Sequence, residues 1–101
     1  MKILFICNQN KHRSKTAEEL FRGRFETKSA GLYNEKPVEE KQIKWADVIA
    51  VMEEFQISEI AKRFPKYYMH KRIISLNIPD MYQYNDRELI SLLNQRAKEL
   101  L

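Results

Sequence analysis

Lys2-Ile3-Leu4-Phe5-Ile6-Cys7-Asn8-Gln9-Asn10-Lys11-His12-Arg13-Ser14 is the stretch on which the architecture of this chain turns. Residues 2–7 are a short apolar run without alternation, as expected of a strand covered on both faces. A polar stretch follows. Ala17, Leu20, Phe21 and Phe25 then recur on one helical face that closes near Gly23. Cys7, five residues, Arg13 and the hydroxyl of Ser14 therefore hang between a strand and a helix. That is the layout of a loop that wraps a phosphate. The competing reading of Cys7 is a small apolar thiol buried at a strand end, with Arg13 a solvated helix charge.

Phosphate is a tetrahedral anion. Successive backbone N–H groups encircle it, and the N-terminus of a following helix adds a positive dipole. A guanidinium at the junction of loop and helix clamps two oxygens, and that contact strengthens as charge spreads in the transition state. Arg13 has this position. The same dipole and arginine favour the thiolate form of Cys7, which is the nucleophilic species. Ser14 is placed to donate to that sulfur. Curling the chain around an anion calls for a left-handed backbone position, and residues 8–14 contain no glycine. Asn8 and Asn10 are the best substitutes, so at least one is expected there.

Outward from this loop, Thr16 and Glu19 have capping-box spacing, which predicts a first regular turn starting a little after Ser14. A short strand is expected at about Glu26–Ala30, ending at Gly31. Pro37 reads as the first position of a short helix with Glu39 and Glu40 in its first turn, leading to Trp45-Ala46. Asp47 to Met52 reads as a second buried strand. Ile57, Ile60, Ala61 and Phe64 form a helical face that Pro65 stops. Lys66 to Arg72 reads as a loop, and Ile73 to Leu76 as a last strand. Asn77 to Asp86 leads to a helix carrying Leu89, Ile90, Leu93, Ala97 and Leu100, with Asp86 or Asn85 its N-cap.

The order is β-α-β-α-β-α-β-α. It predicts an α/β domain over 1–101 with a four-stranded parallel sheet, right-handed crossovers and helices on both faces. Ligands of such folds bind outside the carboxyl ends of the strands. Cys7, Ser29 to Gly31, Glu53 and Asp80 all fall at that end.

The bulk properties agree. At 101 residues and a formal net charge of +4, the chain suits one core and favours anionic ligands without singling out nucleic acid. One cysteine excludes a disulfide within the chain. No apolar run is long enough to span a membrane, and the start does not read as a signal peptide. A reducing cytoplasmic setting is therefore expected, where a free thiol persists.

The loop, with Lys15-Thr16-Ala17-Glu18 after it, resembles that of the low-molecular-weight protein tyrosine phosphatases. Ser29-Ala30-Gly31, Asp47-Val48-Ile49 with Met52-Glu53, and Ile78-Pro79-Asp80-Met81-Tyr82 are similar to three further segments of that family. The resemblance implies a flavodoxin-like phosphatase fold with strand order 2-1-3-4. It implies that Cys7 is the nucleophile, Arg13 the phosphate clamp and Asp80 the general acid. Residues Asn8, Gln9, Asn10, Lys11, His12, Arg13 and Ser14 would bind the phosphate, and Ser29 would hydrogen-bond Asn10. No cofactor or metal is implied. The expected partners are a phosphorylated protein or small aryl phosphate, with phosphate or sulfate at the loop, and neither membrane nor nucleic acid.

Several positions depart from the family pattern. Gln9 stands where a glycine is usual, His12 where many members carry a second cysteine, and Met81 where proline is usual. The stretch between Gly31 and Asp47 is short, removing a segment that normally walls the cleft. A compact prokaryotic branch looks similar in these respects.

Dephosphorylating a phenol requires a proton for the leaving oxygen, which Asp80 is placed to give. Asp86 is the rival acid, with helix capping as its other role. Tyr82 and Tyr84 are candidates to flank an aromatic substrate or to pack, and Tyr33 to replace the missing wall. Alternative functions are a non-catalytic phosphate-binding module, a phosphoarginine phosphatase, and an arsenate reductase. The last needs further cysteines, and Cys7 is alone.

Overall fold

The computed structural model describes residues 1–100. Strands β1 (Lys2–Cys7), β2 (Glu26–Gly31), β3 (Val48–Val51) and β4 (Arg72–Ser75) form one sheet in the order β2-β1-β3-β4. Every pairing is parallel, with Phe5 opposite both Ser29 and Ala50, and Cys7 opposite Gly31. This is the sheet the sequence predicts.

The apolar run of β1 explains itself in section. Ile3, Phe5 and Cys7 face one cluster with Phe21 of helix α1 (Arg13–Phe21) and Leu89 and Leu93 of helix α5 (Arg87–Arg96). Leu4 and Ile6 face the other, with Ile43 of α2 (Glu40–Trp45) and Ile60 of α3 (Glu54–Arg63). The strand is coated twice, so both parities are apolar. Phe5 and Phe21 stack at 5.8 Å between ring centroids. Each such fully buried side chain contributes about 1.5–3 kcal/mol.

Strands β3 and β4 differ from the expected 47–52 and 73–76 by one residue at their ends, and the helices depart from expectation in three places. Helix α1 begins at Arg13, not after Ser14, and Thr16 lies inside it with its Oγ1 donating to the His12 carbonyl at 2.7 Å. Helix α2 begins at Glu40, not Pro37. Val38 is buried and donates to the Gly31 carbonyl at 2.8 Å, which holds residues 37–39 off the helix. The start is then set by Gln42, whose side chain accepts from the Glu39 N–H at 2.9 Å. Pro65 ends α3 but also opens a short helix α4 (Pro65–Tyr68) in the expected loop, because proline is accommodated where no N–H is needed. Asp86 caps α5, accepting from the Glu88 N–H at 2.8 Å, and Ala97–Leu100 follow as a 3-10 turn. Among the described residues, no helix is long and apolar enough to cross a membrane.

Candidate active site

Cys7 ends β1 with only 3 % of its surface exposed. The chain then turns past the end of β2. The Asn8 carbonyl accepts from the N–H groups of Leu32 at 3.0 Å and Tyr33 at 2.8 Å. This approach needs Gly31: a Cβ there would stand 3.0 Å from the Asn8 carbonyl oxygen and 2.6 Å from Asn34 Oδ1. Asn10 takes the left-handed position at φ 54°, so an asparagine supplies the turn that no glycine offers. Its N–H then points back to Cys7 Sγ at 3.2 Å. Among the described residues, no backbone acceptor takes the N–H of Gln9, Lys11, His12, Arg13 or Ser14.

Ser14 Oγ lies 2.9 Å from Cys7 Sγ and donates to Asn10 Oδ1 at 2.7 Å. A hydroxyl carries one proton. As a thiol, Cys7 supplies its own proton to Ser14 Oγ. As a thiolate, it accepts the hydrogen bond of the Ser14 O–H, which then no longer points to Asn10 Oδ1. The triad thus accommodates both states of the sulfur by turning one O–H bond.

Arg13 is 2 % exposed, and its charge is carried by groups from two other strand ends. Nη1 donates to Glu53 Oε1 at 2.5 Å and to the Ile78 carbonyl at 2.8 Å. Nη2 stands 3.7 Å from Asp80 Oδ1. The guanidinium is therefore held by groups that follow β3 and β4. The sequence places Glu53 at this edge of the sheet but offers no partner for it.

Gln56 is a second support that sequence reasoning missed. It is fully buried. Its Oε1 accepts from the N–H groups of Met52 at 2.8 Å and Glu53 at 2.9 Å, and its Nε2 donates to Asn8 Oδ1 at 2.9 Å. The Glu53-x-x-Gln56 spacing at the start of α3 was the available signal, since Gln at that position reaches back to the helix start. The link to Asn8 had no such signal.

Cys7, Asn8, Gln9, Lys11, His12, Arg13 and Asp80 line one concavity of 270 Å³. Asp80 is 58 % exposed at its rim. Asp86 does not line it and serves as the cap described above.

The expected bond of Ser29 is corrected, and for Tyr82 the packing alternative holds. Ser29 Oγ donates to Glu18 Oε1 at 2.5 Å and not to Asn10, because Glu18 of α1 lies over β2 and offers a charged acceptor. Tyr82 is partly buried against the α1–α5 core cluster and does not line the concavity. Tyr33 does not line it either; its ring lies 5.2 Å from the Arg63 guanidinium, whose Nη1 donates to the Leu32 carbonyl at 2.7 Å. Tyr84 is tied to α1: its N–H donates to His12 Nδ1 at 3.0 Å and its hydroxyl to Glu19. That bond to Glu19 is the main cause of a Tyr84 pKa above the usual 10.0. Among the described residues, no three His, Cys, Asp or Glu side chains are grouped to hold a metal ion.

The chain matches no family model and no curated protein sequence. Its likeness is to solved structures. The low-molecular-weight protein tyrosine phosphatase from T. tengcongensis superposes with a TM-score of 0.76 at 21% identity, over 100% of this chain and 99% of that one. The tyrosine phosphatase Wzb from Escherichia coli K30, in complex with sulphate, gives 0.75 at 21%, over 98% and 94%. The YwlE arginine phosphatase from Geobacillus stearothermophilus gives 0.74 at 20%, over 98% and 92%. The fold is that of the low-molecular-weight tyrosine phosphatases.

Proposed function

We propose that this protein hydrolyses phosphate monoesters through a covalent phosphocysteine, with aryl phosphates such as phosphotyrosine as substrates. The observation that carries the proposal is that Cys7, Arg13 and Asp80 share one small concavity. The phosphoryl group sits over the loop, held by backbone N–H groups of residues 8–14 and by Arg13. The Cys7 thiolate attacks phosphorus, and a P–S bond forms as the P–O bond to the leaving group breaks. Asp80 gives its proton to the departing oxygen. Its carboxylate then takes a proton from water, whose oxygen attacks phosphorus, and Cys7 leaves as thiolate with Ser14 donating to it. Phosphate is released and Asp80 is again protonated. No redox partner enters, consistent with a lone cysteine.

The test is phosphate release from p-nitrophenyl phosphate and phenyl phosphate by the wild type, Cys7→Ser and Asp80→Asn. Cys7→Ser is expected to be inactive, and Asp80→Asn slowed by roughly 10²–10⁴-fold on esters that need an acid. Turnover that survives Cys7→Ser rules the mechanism out. A folded wild type that binds phosphate without turnover is a binding module. Because arginine phosphatases share this fold, phosphoarginine is assayed beside phosphotyrosine, and the larger kcat/KM assigns the substrate class.

A further inference from the structure

The segment carrying Asp80 is fastened at both ends. At one end, the Ile78 N–H donates to the Met52 carbonyl at 2.8 Å and the Ile78 carbonyl accepts from Arg13. At the other, Tyr84 and Asn85 are bound to a single edge of α1. The Tyr84 N–H donates to His12 Nδ1, the Tyr84 hydroxyl to Glu19, and the Asn85 N–H to Thr16 Oγ1 at 2.8 Å. His12, Thr16 and Glu19 are spaced by four and three residues, so they form one stripe along the helix. Asn85 takes the left-handed conformation at φ 62°, turning its N–H onto this stripe.

Thr16 is the centre of that stripe. A threonine inside a helix ordinarily bonds back to the carbonyl four residues earlier, and this one does. Its remaining lone pair faces the loop and takes the Asn85 N–H. The residue is 1 % exposed, so no water stands in for the hydroxyl when it is lost.

We propose that Thr16 is a positioning residue for the general acid: with Tyr84 it latches the far end of the Asp80 segment to the helix that follows the phosphate loop. The inference rests on the phosphatase reading above. Only five residues, 79–83, separate the two fastened ends. Releasing one end lets Asp80 drift from the leaving oxygen while Cys7 and Arg13 stay in place. Loss of the latch therefore slows the proton transfer to the leaving oxygen and spares the attack of Cys7 at phosphorus.

Leaving groups separate the two effects. p-Nitrophenolate departs with little help from an acid, whereas phenolate, with a pKa of about 10, needs the proton. Thr16→Val keeps the shape of the side chain and removes the hydroxyl. The readout is kcat/KM, which ends at formation of the phosphocysteine and leaves out the water step that Asp80 also serves. For Thr16→Val it is expected to fall roughly tenfold on phenyl phosphate and less than about twofold on p-nitrophenyl phosphate, with Thr16→Ser restoring both. Tyr84→Phe, on an exposed residue, is expected to lower kcat/KM on phenyl phosphate alone by about threefold. It keeps the test open if Thr16→Val fails to fold. Inhibition by inorganic phosphate stays unchanged in both variants. Equal loss on the two esters, or no loss in either variant, overturns the proposal while Asp80→Asn still discriminates between them. A wild type inert towards both esters removes the phosphatase reading itself, and the positioning role with it.

Discussion

Arg13 donates through Nη1 to Glu53 Oε1 at 2.5 Å, although the two residues stand 40 apart in sequence. The pair joins the start of α1 to the exit of β3. It leaves the guanidinium rigid and partly neutralised where the phosphate would sit. Such a pair orients a binding group at some cost in affinity for the incoming anion.

Glu53→Gln keeps an acceptor for Nη1 and removes the charge. Glu53 is 30 % exposed, so solvent screens it, and about 1–2 kcal/mol is expected. Inorganic phosphate should therefore bind roughly 5- to 30-fold tighter, measured by calorimetry or competitive inhibition. Glu53→Ala should instead lose stability, by about 2 kcal/mol or more, because a buried guanidinium loses its carboxylate. Unchanged phosphate affinity in Glu53→Gln would mean that the pair does not act on the anion site.

Gln56→Leu removes the bridge between the β3 exit and the loop after β1. Met52 keeps its bond to the Ile6 carbonyl at 3.2 Å, but the Glu53 N–H and Asn8 Oδ1 lose their partner. A loss of about 1–3 kcal/mol is expected. For a domain of this size that lowers Tm by roughly 5–20 °C, read by circular dichroism. A melting curve superimposable on the wild type would count against this role.

Gly31→Ala places a methyl group against the Asn8 carbonyl, 3.0 Å away. Asn34 can swing aside, since its Oδ1 has no partner to lose. The Asn8 carbonyl cannot, because two N–H groups hold it. The strain, about 1–3 kcal/mol, falls on the loop that follows Cys7. Both Tm and phosphate affinity should drop together; a fall in Tm alone would separate β2 from the loop.

Two phenols should titrate late. Tyr84 is raised above 10.0 chiefly by its bond to Glu19, with smaller contributions from burial and the Glu19 charge, while Arg22 opposes them. Tyr67 is raised chiefly by its bond to Glu40. In each case the protonated phenol is the bonded form. The stabilisation is therefore fully present below pH 10 and is lost as pH rises through the raised folded value. Phenolate absorbance should show two late components, one removed by Tyr84→Phe and the other by Tyr67→Phe. A variant that retains the full late amplitude would refute the assignment for that residue.

Much of this architecture was legible in one dimension because it depends on local pattern. The unbroken apolar run of β1 says that the strand is covered on both faces, and the two core clusters bear that out. A polar loop without glycine demands an asparagine with positive φ, and Asn10 supplies it. Asp86 before Arg87 reads as a cap, and its carboxylate takes the Glu88 N–H. Even the start of α3 had its mark in Glu53 and Gln56. Where local signals competed, tertiary contacts won. Pro37 is a good helix opener, but the Val38 N–H goes to Gly31, and the helix waits until Glu40. Thr16 has cap chemistry, but the helix starts earlier and turns its hydroxyl to the neighbouring segment.

The sequence by itself determined the alternation of strands and helices apart from α4, the parallel sheet and the gathering of Cys7, Arg13 and Asp80 at the carboxyl edge. Periodicity sets which face is buried, and parallel connections put every strand's end on one side. Only the tertiary structure decided what stands behind each of these groups. Glu53 and the Ile78 carbonyl hold Arg13, Gln56 holds Asn8, and Ser29 turns to Glu18. Thr16 and His12 hold the segment that bears Asp80. These partners come from different crossovers, and a hydrogen bond depends on a few tenths of an ångström and on angle, which residue spacing along the chain does not encode. The opening stretch from Lys2 to Ser14 is thus a strand, a polar turn and a helix start by its own pattern, and it is braced by the partners that the fold brings to it.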